Sequence, residues 1–284
     1  MAFLQAVLYT NSMKSEDYGG GDAFQTEKRT IFSTEWLPVC AEGQIGAAGD
    51  FLSATIGGWG VVAVRDGQGT LRILRNACRH QNMPVVGVPS GKCESFRCRF
   101  HGWTYDLTGK FLNAPPPVAP PDPRSPDVNL ASLAVAQAAG LVFFNLAGKA
   151  PLPELDLPRL AYGGTIAIEV GCNWKVLIEH LLLERRDKAR DFIWHWPLLA
   201  ARQAGTLTII EQVVPHTFLR TRLLTHVFGV PAEEHRSSDG LIKQACEHLQ
   251  ADRVAGTMAP NDNVFLADFH RRLEAAYAET GLAI

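Results

Sequence analysis

No run in the 284-residue chain approaches the ~20 consecutive apolar residues that a membrane-crossing helix needs, so no helical span and no membrane partner are expected. The first residues, Met1-Ala2-Phe3-Leu4-Gln5, lack the basic start and long apolar core of a secretory leader, and a cytoplasmic location is expected. An excess of positive charge is lacking too. Lys plus Arg number 27 against 29 Asp plus Glu, a formal net charge of -2, which speaks against a nucleic-acid partner held by a broad basic face. Cysteine is too sparse for a disulfide scaffold: there are six, and Cys40, Cys172 and Cys246 stand alone in sequence. Neither an internal repeat nor a low-complexity tract occurs. What is abundant is apolar side chain, 46% of residues against 20% charged, enough to fill the core of one large domain or two ordinary ones.

Residues 1–30 are polar and carry Gly19-Gly20-Gly21, which predicts an arm lying on the body or on a partner. From Thr30 to Phe111 short runs alternate with turn residues. Trp59–Val64, then Arg65-Asp66-Gly67-Gln68-Gly69, then Leu71–Leu74 read as strand, turn and strand, so this stretch predicts a small all-β domain. Seven of the 17 prolines fall between Pro115 and Pro126, a run that continues neither sheet nor helix and reads as a stiff connector. Gly140–Asn145 predicts a buried strand closing the first domain. Beyond about residue 150, Cys172–Asp191 has helical spacing, with Trp174, Leu177, Leu181 and Leu182 on one stripe and Glu179, Arg186 and Arg190 away from it. Leu207–Val214 and Leu219–Phe228 read as strands joined by Pro215-His216, and Val264–Tyr277 as a last helix. The second domain is therefore expected to be α+β.

Cys78-Arg79-His80, 17 residues, then Cys98-Arg99-Phe100-His101 carries the chemistry. Two thiolates and two imidazoles in paired short spacings suit a tetrahedral zinc ion or a [2Fe-2S] cluster with both His on one iron. Gly102-Trp103-Thr104-Tyr105-Asp106 follows with a tight turn and aromatic cover.

Asn76–His80 and Cys98–Tyr105 resemble the Rieske domain of the Rieske non-haem iron oxygenases, the aromatic-ring-hydroxylating and demethylating class. Cytochrome bc-type Rieske proteins carry an extra Cys in each cluster loop, and neither loop here has one. Gln81-Asn82 and Arg99 stand where that family usually has Arg-Gly and Pro. The resemblance implies a [2Fe-2S] cluster on Cys78, His80, Cys98 and His101, and a reductase or ferredoxin as electron donor. It implies an α+β chain: an arm over 1–30, an all-β Rieske domain over 31–150, and a shortened, helix-grip-like sheet-plus-helix domain over 151–284.

Asn173-Trp174-Lys175 looks like the motif that opens the iron-binding helix of that family, whose catalytic iron sits on two His and one carboxylate. Laid on this chain, the motif meets substitutions. His180 stands where Asn is common, Leu183 where an acidic residue links cluster to neighbouring iron, Arg186 at the first His and Asp191 at the second. Only Asp262, in Asn261-Asp262-Asn263, matches the third ligand. Arg186 stays protonated and has no lone pair to give. The interval from Asp191 to Asp262 is also shorter than in full-length members. The expectation is that mononuclear Fe(II) no longer binds and that Arg186 pairs with Asp262. The chain would then serve a catalytic paralogue within the trimer-based assembly typical of the family. Two other readings stay open: an active monooxygenase or demethylase using His195, Asp191 and Asp262, and a redox-sensing or scaffold subunit.

His180 and Glu184, four residues apart, are expected to be a helix-surface pair, and Asp187 with Asp191 part of a solvated ion-pair face. His195, between Trp194 and Trp196, reads as part of a core-facing aromatic strand.

Overall fold

The computed structural model describes residues 13–120, 122–148, 151, 154–184, 192–235, 239–257 and 263–279. The chain divides into two units, residues 34–154 and residues 1–33 with 155–284.

Ten strands build the first unit: β1 (Leu37–Ala41), β2 (Asp50–Ile56), β3 (Trp59–Arg65), β4 (Leu71–Arg75), β5 (Ser90–Lys92), β6 (Ser95–Arg97), β7 (Thr104–Asp106), β8 (Phe111–Asn113), β9 (Ser132–Ala138) and β10 (Leu141–Asn145). A seven-stranded antiparallel sheet runs β1-β10-β9-β4-β3-β2-β5, and β6-β7-β8 form a separate three-stranded sheet. The β3–β4 hairpin closes on Asp66, whose carboxylate accepts from the Gln68 and Thr70 amides, while Gly69 takes the positive φ the turn requires. β10 is buried along its whole length, as its unbroken Leu-Val-Phe-Phe run demands. The proline-rich run does not separate the units. It lies inside this one, between β8 and β9, where Pro116–Val118 and Pro126–Val128 form 3-10 turns.

In the second unit β11 (Tyr162–Val170), β12 (Phe192–His195), β13 (Leu199–Ala204), β14 (Leu207–Thr217) and β15 (Arg220–Phe228) form an antiparallel sheet in the order β11-β15-β14-β13-β12. Helices α1 (Ser15–Gly19), α2 (Gly21–Thr30), α3 (Trp174–Glu184), α4 (Asp239–Val254) and α5 (Val264–Ala278) complete it. α3 lies against β14 and between α4 and α5, while α1 meets α4 and α2 meets α5. The described part of the expected arm is thus two helices packed into this unit.

Two sequence expectations need correction here. Pro215-His216 does not break the strands: β14 runs through to Thr217, with an irregularity in register between Pro215 and Thr217 that absorbs the missing proline amide. And α3 has no solvated side at Glu179. Lys175 and Glu179 are both fully buried, because neighbouring helices supply partners for their charges. α4 was not anticipated from its weakly periodic sequence. Among the described residues, no helix is long and apolar enough to cross a membrane.

Candidate metal centre

The two Cys-His loops leave β4 and β6 and share one hydrogen-bond plan. In each, the Cys amide donates to the carbonyl five residues on, Cys78 to Met83 and Cys98 to Trp103, both at 2.8 Å. In each, the Cys carbonyl accepts from the amide four residues on, Asn82 at 2.7 Å and Gly102 at 2.9 Å. That fourth residue must adopt positive φ, +57° at Asn82 and +71° at Gly102. Asn is among the residues with a Cβ that most readily take this conformation, so Asn82 can stand where the family it resembles usually has Gly. The loops are structural twins although one spaces its ligands Cys-x-His and the other Cys-x-x-His. Asn76 braces the first, its Oδ1 accepting from the Val85 and Val86 amides and its Nδ2 donating to the Val86 carbonyl.

Cys78 and Cys98 are each 1% exposed and belong to the unit's apolar core with Phe96, Trp103, Tyr105 and Phe111. The imidazoles stand further out, half-buried. The His80 and His101 ring centroids are 4.6 Å apart and nearly perpendicular, and His80 stacks on Trp103 at 5.3 Å. Trp103 is itself fixed by its Nε1 donating to the Val118 carbonyl at 2.7 Å, and Arg79 Nε donates to the Asp127 carbonyl at 2.8 Å. The proline-rich segment therefore straps both loops. Tyr105 Oη lies 3.2 Å from Cys78 Sγ and accepts from the Arg79 amide.

These residues fit a two-iron cluster on two counts. The His80 Nδ1 is buried with no hydrogen-bond partner, a costly state unless a ligand takes its lone pair. Burial pushes the Cys78 thiol up, with the Tyr105 hydroxyl pulling the other way, so a thiolate there calls for a neighbouring positive charge such as bound iron.

In the second unit Arg186, Asp191 and Asp262 lie outside the described residues. Asn263 caps α5 by accepting from the Phe265 and Leu266 amides, and its Nδ2 donates 2.9 Å to the Leu182 carbonyl, tying the start of α5 to the end of α3. The Asn173-Trp174-Lys175 motif folds onto α2. Asn173 Oδ1 accepts from the Lys175 amide, Trp174 Nε1 donates 2.6 Å to Glu27 Oε2, and Lys175 Nζ pairs with Glu27 Oε1, which also accepts from Tyr277. One turn along, Glu179 accepts from Tyr18, His270 and Arg253. Burial alone would raise the Glu179 carboxyl, but His270, Arg253 and Tyr18 together hold it below the usual carboxylate range. Glu27, Tyr18, Arg253, His270 and Tyr277 carry no local spacing that could have revealed these partners, because each lies tens to hundreds of residues away.

Of the expected surface pair, Glu184 is exposed, whereas His180 is only 8% exposed; both line an open cleft of about 450 Å³ with Leu181, Glu211 and His248. Trp194 and Trp196 pack on Phe269 of α5, and burial lowers the His195 imidazole between them.

Residues 35–134 match the Rieske [2Fe-2S] domain family. The chain is 32% identical over 173 residues to biphenyl 2,3-dioxygenase subunit alpha of Rhodococcus jostii, covering 55% of this chain and 38% of that protein. It is 30% identical over 182 residues to the glycine betaine monooxygenase oxygenase subunit of Chromohalobacter salexigens, covering 60% and 41%. It thus aligns with about two fifths of the length of these curated relatives. In fold it resembles the quaternary ammonium Rieske monooxygenase CntA in complex with gamma-butyrobetaine, with TM-score 0.75 at 16% identity over 96% of this chain and 97% of that one. Naphthalene 1,2-dioxygenase with indole bound gives TM-score 0.60 at 17% identity, over 98% and 83%.

Proposed function

We propose that this chain, which matches the Rieske [2Fe-2S] domain over residues 35–134, is a member of the Rieske non-haem iron oxygenases and serves as an iron–sulfur electron-transfer component of an oxygenase system, its own mononuclear iron position lost. Its electrons, received from a reductase or ferredoxin, would serve a catalytic paralogue assembled beside it.

The observation that carries this reading is the contrast between the two sites. The four residues proposed as cluster ligands sit in twin loops, while Arg186 stands where the family's alignment has a His and cannot donate a lone pair. The bound cluster supplies one-electron storage at a potential raised by its two imidazoles. The chain's own residues do the rest. Cys78 and Cys98 keep the thiolates in the core, Trp103 and Tyr105 keep water from them, and His80 and His101 stand at the outer edge where a partner can approach. At the second site, Leu183 offers no carboxylate to link an incoming electron to a neighbouring iron.

A second reading is an active monooxygenase or demethylase with unorthodox ligands such as His195, Asp191 and Asp262; burial lowers the His195 imidazole and so favours its neutral, ligating form. Metal analysis of anaerobically purified protein separates the two. The first reading expects about two irons and two acid-labile sulfides per chain, with a Rieske-type EPR signal. A third, chelatable iron with O2-dependent turnover would refute it and favour the second.

A further inference from the structure

Cys172 and Cys246 stand far apart in sequence and meet in the fold. Cys172 lies in the turn between β11 and α3, and Cys246 lies midway along α4. Both are 0% exposed. Their neighbours fix the approach. The Asn173 amide donates 2.7 Å to Gln250 Oε1, one turn beyond Cys246, and a Cβ on Gly171 would stand 3.9 Å from Glu247 Oε1. The Cys172 carbonyl accepts from Thr221 Oγ1 at 2.8 Å, which holds the residue against β15. Cys246, Gln250 and Arg253 share the buried face of α4, and Arg253 pairs with Glu179 of α3. Between these contacts the two thiols face each other within hydrogen-bonding reach. Buried cysteines can serve as small apolar filling, but filling does not require two sulfurs to meet.

We infer that Cys172 and Cys246 are a latent disulfide site, closed by exchange with a small-molecule disulfide, that staples α4 to the start of α3. The inference is independent of the electron-transfer reading above. One cysteine, as thiolate, attacks a sulfur of the small disulfide, breaking its S–S bond and releasing one thiolate. The other cysteine then attacks the mixed disulfide, forming the Cys172–Cys246 bond and releasing the second thiolate. Two electrons pass from the cysteines to the small disulfide, and the two cysteine protons end on its thiolates. The neighbouring Cys246 thiol, then burial, then Glu247 push the Cys172 thiol up, so the closed pair stays protonated and unreactive. Exchange therefore waits on local opening of α4, because the closed site admits no reagent. Once formed, the bond closes a long loop containing β12 to β15. It also fixes one wall of the cleft, with Gln244 and His248, against the wall that carries His180 and Glu184.

The test incubates the full chain, cluster loaded, anaerobically in glutathione buffers of graded oxidised-to-reduced ratio. Samples are quenched in acid, alkylated, digested and read by mass spectrometry. A linked Cys172–Cys246 peptide should accumulate, reversibly with dithiothreitol, while the cluster's visible absorbance is retained. Urea below the unfolding midpoint should speed its formation, since it populates the opened site. A bond that stabilises the fold must, by linkage, form more readily in the folded chain. Half-formation should therefore need a buffer at least about tenfold less oxidising than in chain unfolded by urea. The urea midpoint of this unit should rise by about 0.5 M or more on oxidation. Cys246→Ser should show neither the linked peptide nor the rise, and Cys246→Ala serves if the serine variant does not fold. Absence of the linked peptide even in urea just below the midpoint would overturn the inference. So would linkage no easier than in the unfolded chain, or pairing of Cys172 or Cys246 mainly with Cys40 or Cys93.

Discussion

Glu27→Gln is the most informative single change in the second unit. Glu27 and Lys175 have side chains that are both 0% exposed, and the carboxylate accepts from Lys175, Trp174 and Tyr277 at once. Glutamine keeps the shape and one carbonyl acceptor, so part of the neutral hydrogen bonding survives. What disappears is the countercharge of a fully buried ammonium. Stranding one partner of a buried pair costs about 3–5 kcal/mol, which for a unit of this size lowers its Tm by about 6–20 °C. Adding Lys175→Met removes the stranded charge, and the double variant should regain about 2 kcal/mol over Glu27→Gln alone. Urea unfolding followed by tryptophan fluorescence reads both units, this one through Trp174, Trp194 and Trp196 and the other through Trp36, Trp59 and Trp103, and visible absorbance of the loaded cluster follows the other alone, so the transition absent from the visible trace is this unit's. A Glu27→Gln protein within about 1 kcal/mol of wild type, or a double variant less stable than the single, would refute the reasoning.

Three further outcomes are expected. Tyr105→Phe removes the hydroxyl 3.2 Å from Cys78 Sγ, which stabilises added negative charge, so the cluster's reduction potential should fall in a spectroscopic redox titration. At Asn82, with φ of +57°, Gly should be tolerated, whereas Val should cost about 1–2 kcal/mol or more in denaturant midpoint and reduce cluster retention. Burial lowers the His226 imidazole to about 3. Unfolded His titrates near ~6.5, so between these values the unfolded chain binds a proton that the folded one refuses. Stability should therefore fall with acidification across that window by about 1.4 kcal/mol per pH unit, measured as the urea midpoint at pH ~7 and ~5, and His226→Gln should flatten the slope.

The elements foreseen from sequence are those whose cause is local. The β3–β4 hairpin announces itself by Asp66 and Gly69 between two apolar runs, β10 by an unbroken apolar stretch, and α5 by its spacing behind Asn263. The proposed cluster ligands stand out because short spacings put a Cys and a His on each loop. What stayed hidden depends on distant partners. Glu179 reads as a polar residue on an amphipathic helix until Tyr18, Arg253 and His270 arrive from other segments to satisfy it. His180 likewise reads as a surface residue beside Glu184, since nothing in the helix itself shows that α4 and β14 come up against it and leave only Glu184 exposed. The matching plan of the two loops was also out of reach, because it resides in main-chain bonds and not in ligand spacing.

The proline-rich strap has a consequence for assembly. Seven of its residues possess no amide hydrogen, so this stretch offers mainly acceptors, and two of its carbonyls receive Trp103 and Arg79. Proline also narrows the conformations open to the unfolded segment, which lowers the entropy lost when it settles across the loops. The bonds that shape the cradle, from Asn76, Met83, Trp103 and the strap, all join protein groups to one another. A mount held in this way is expected to keep its loop shape before iron arrives, so the cluster-free chain should still unfold cooperatively in urea; a first unit that folds only with the cluster loaded would show metal-driven folding instead.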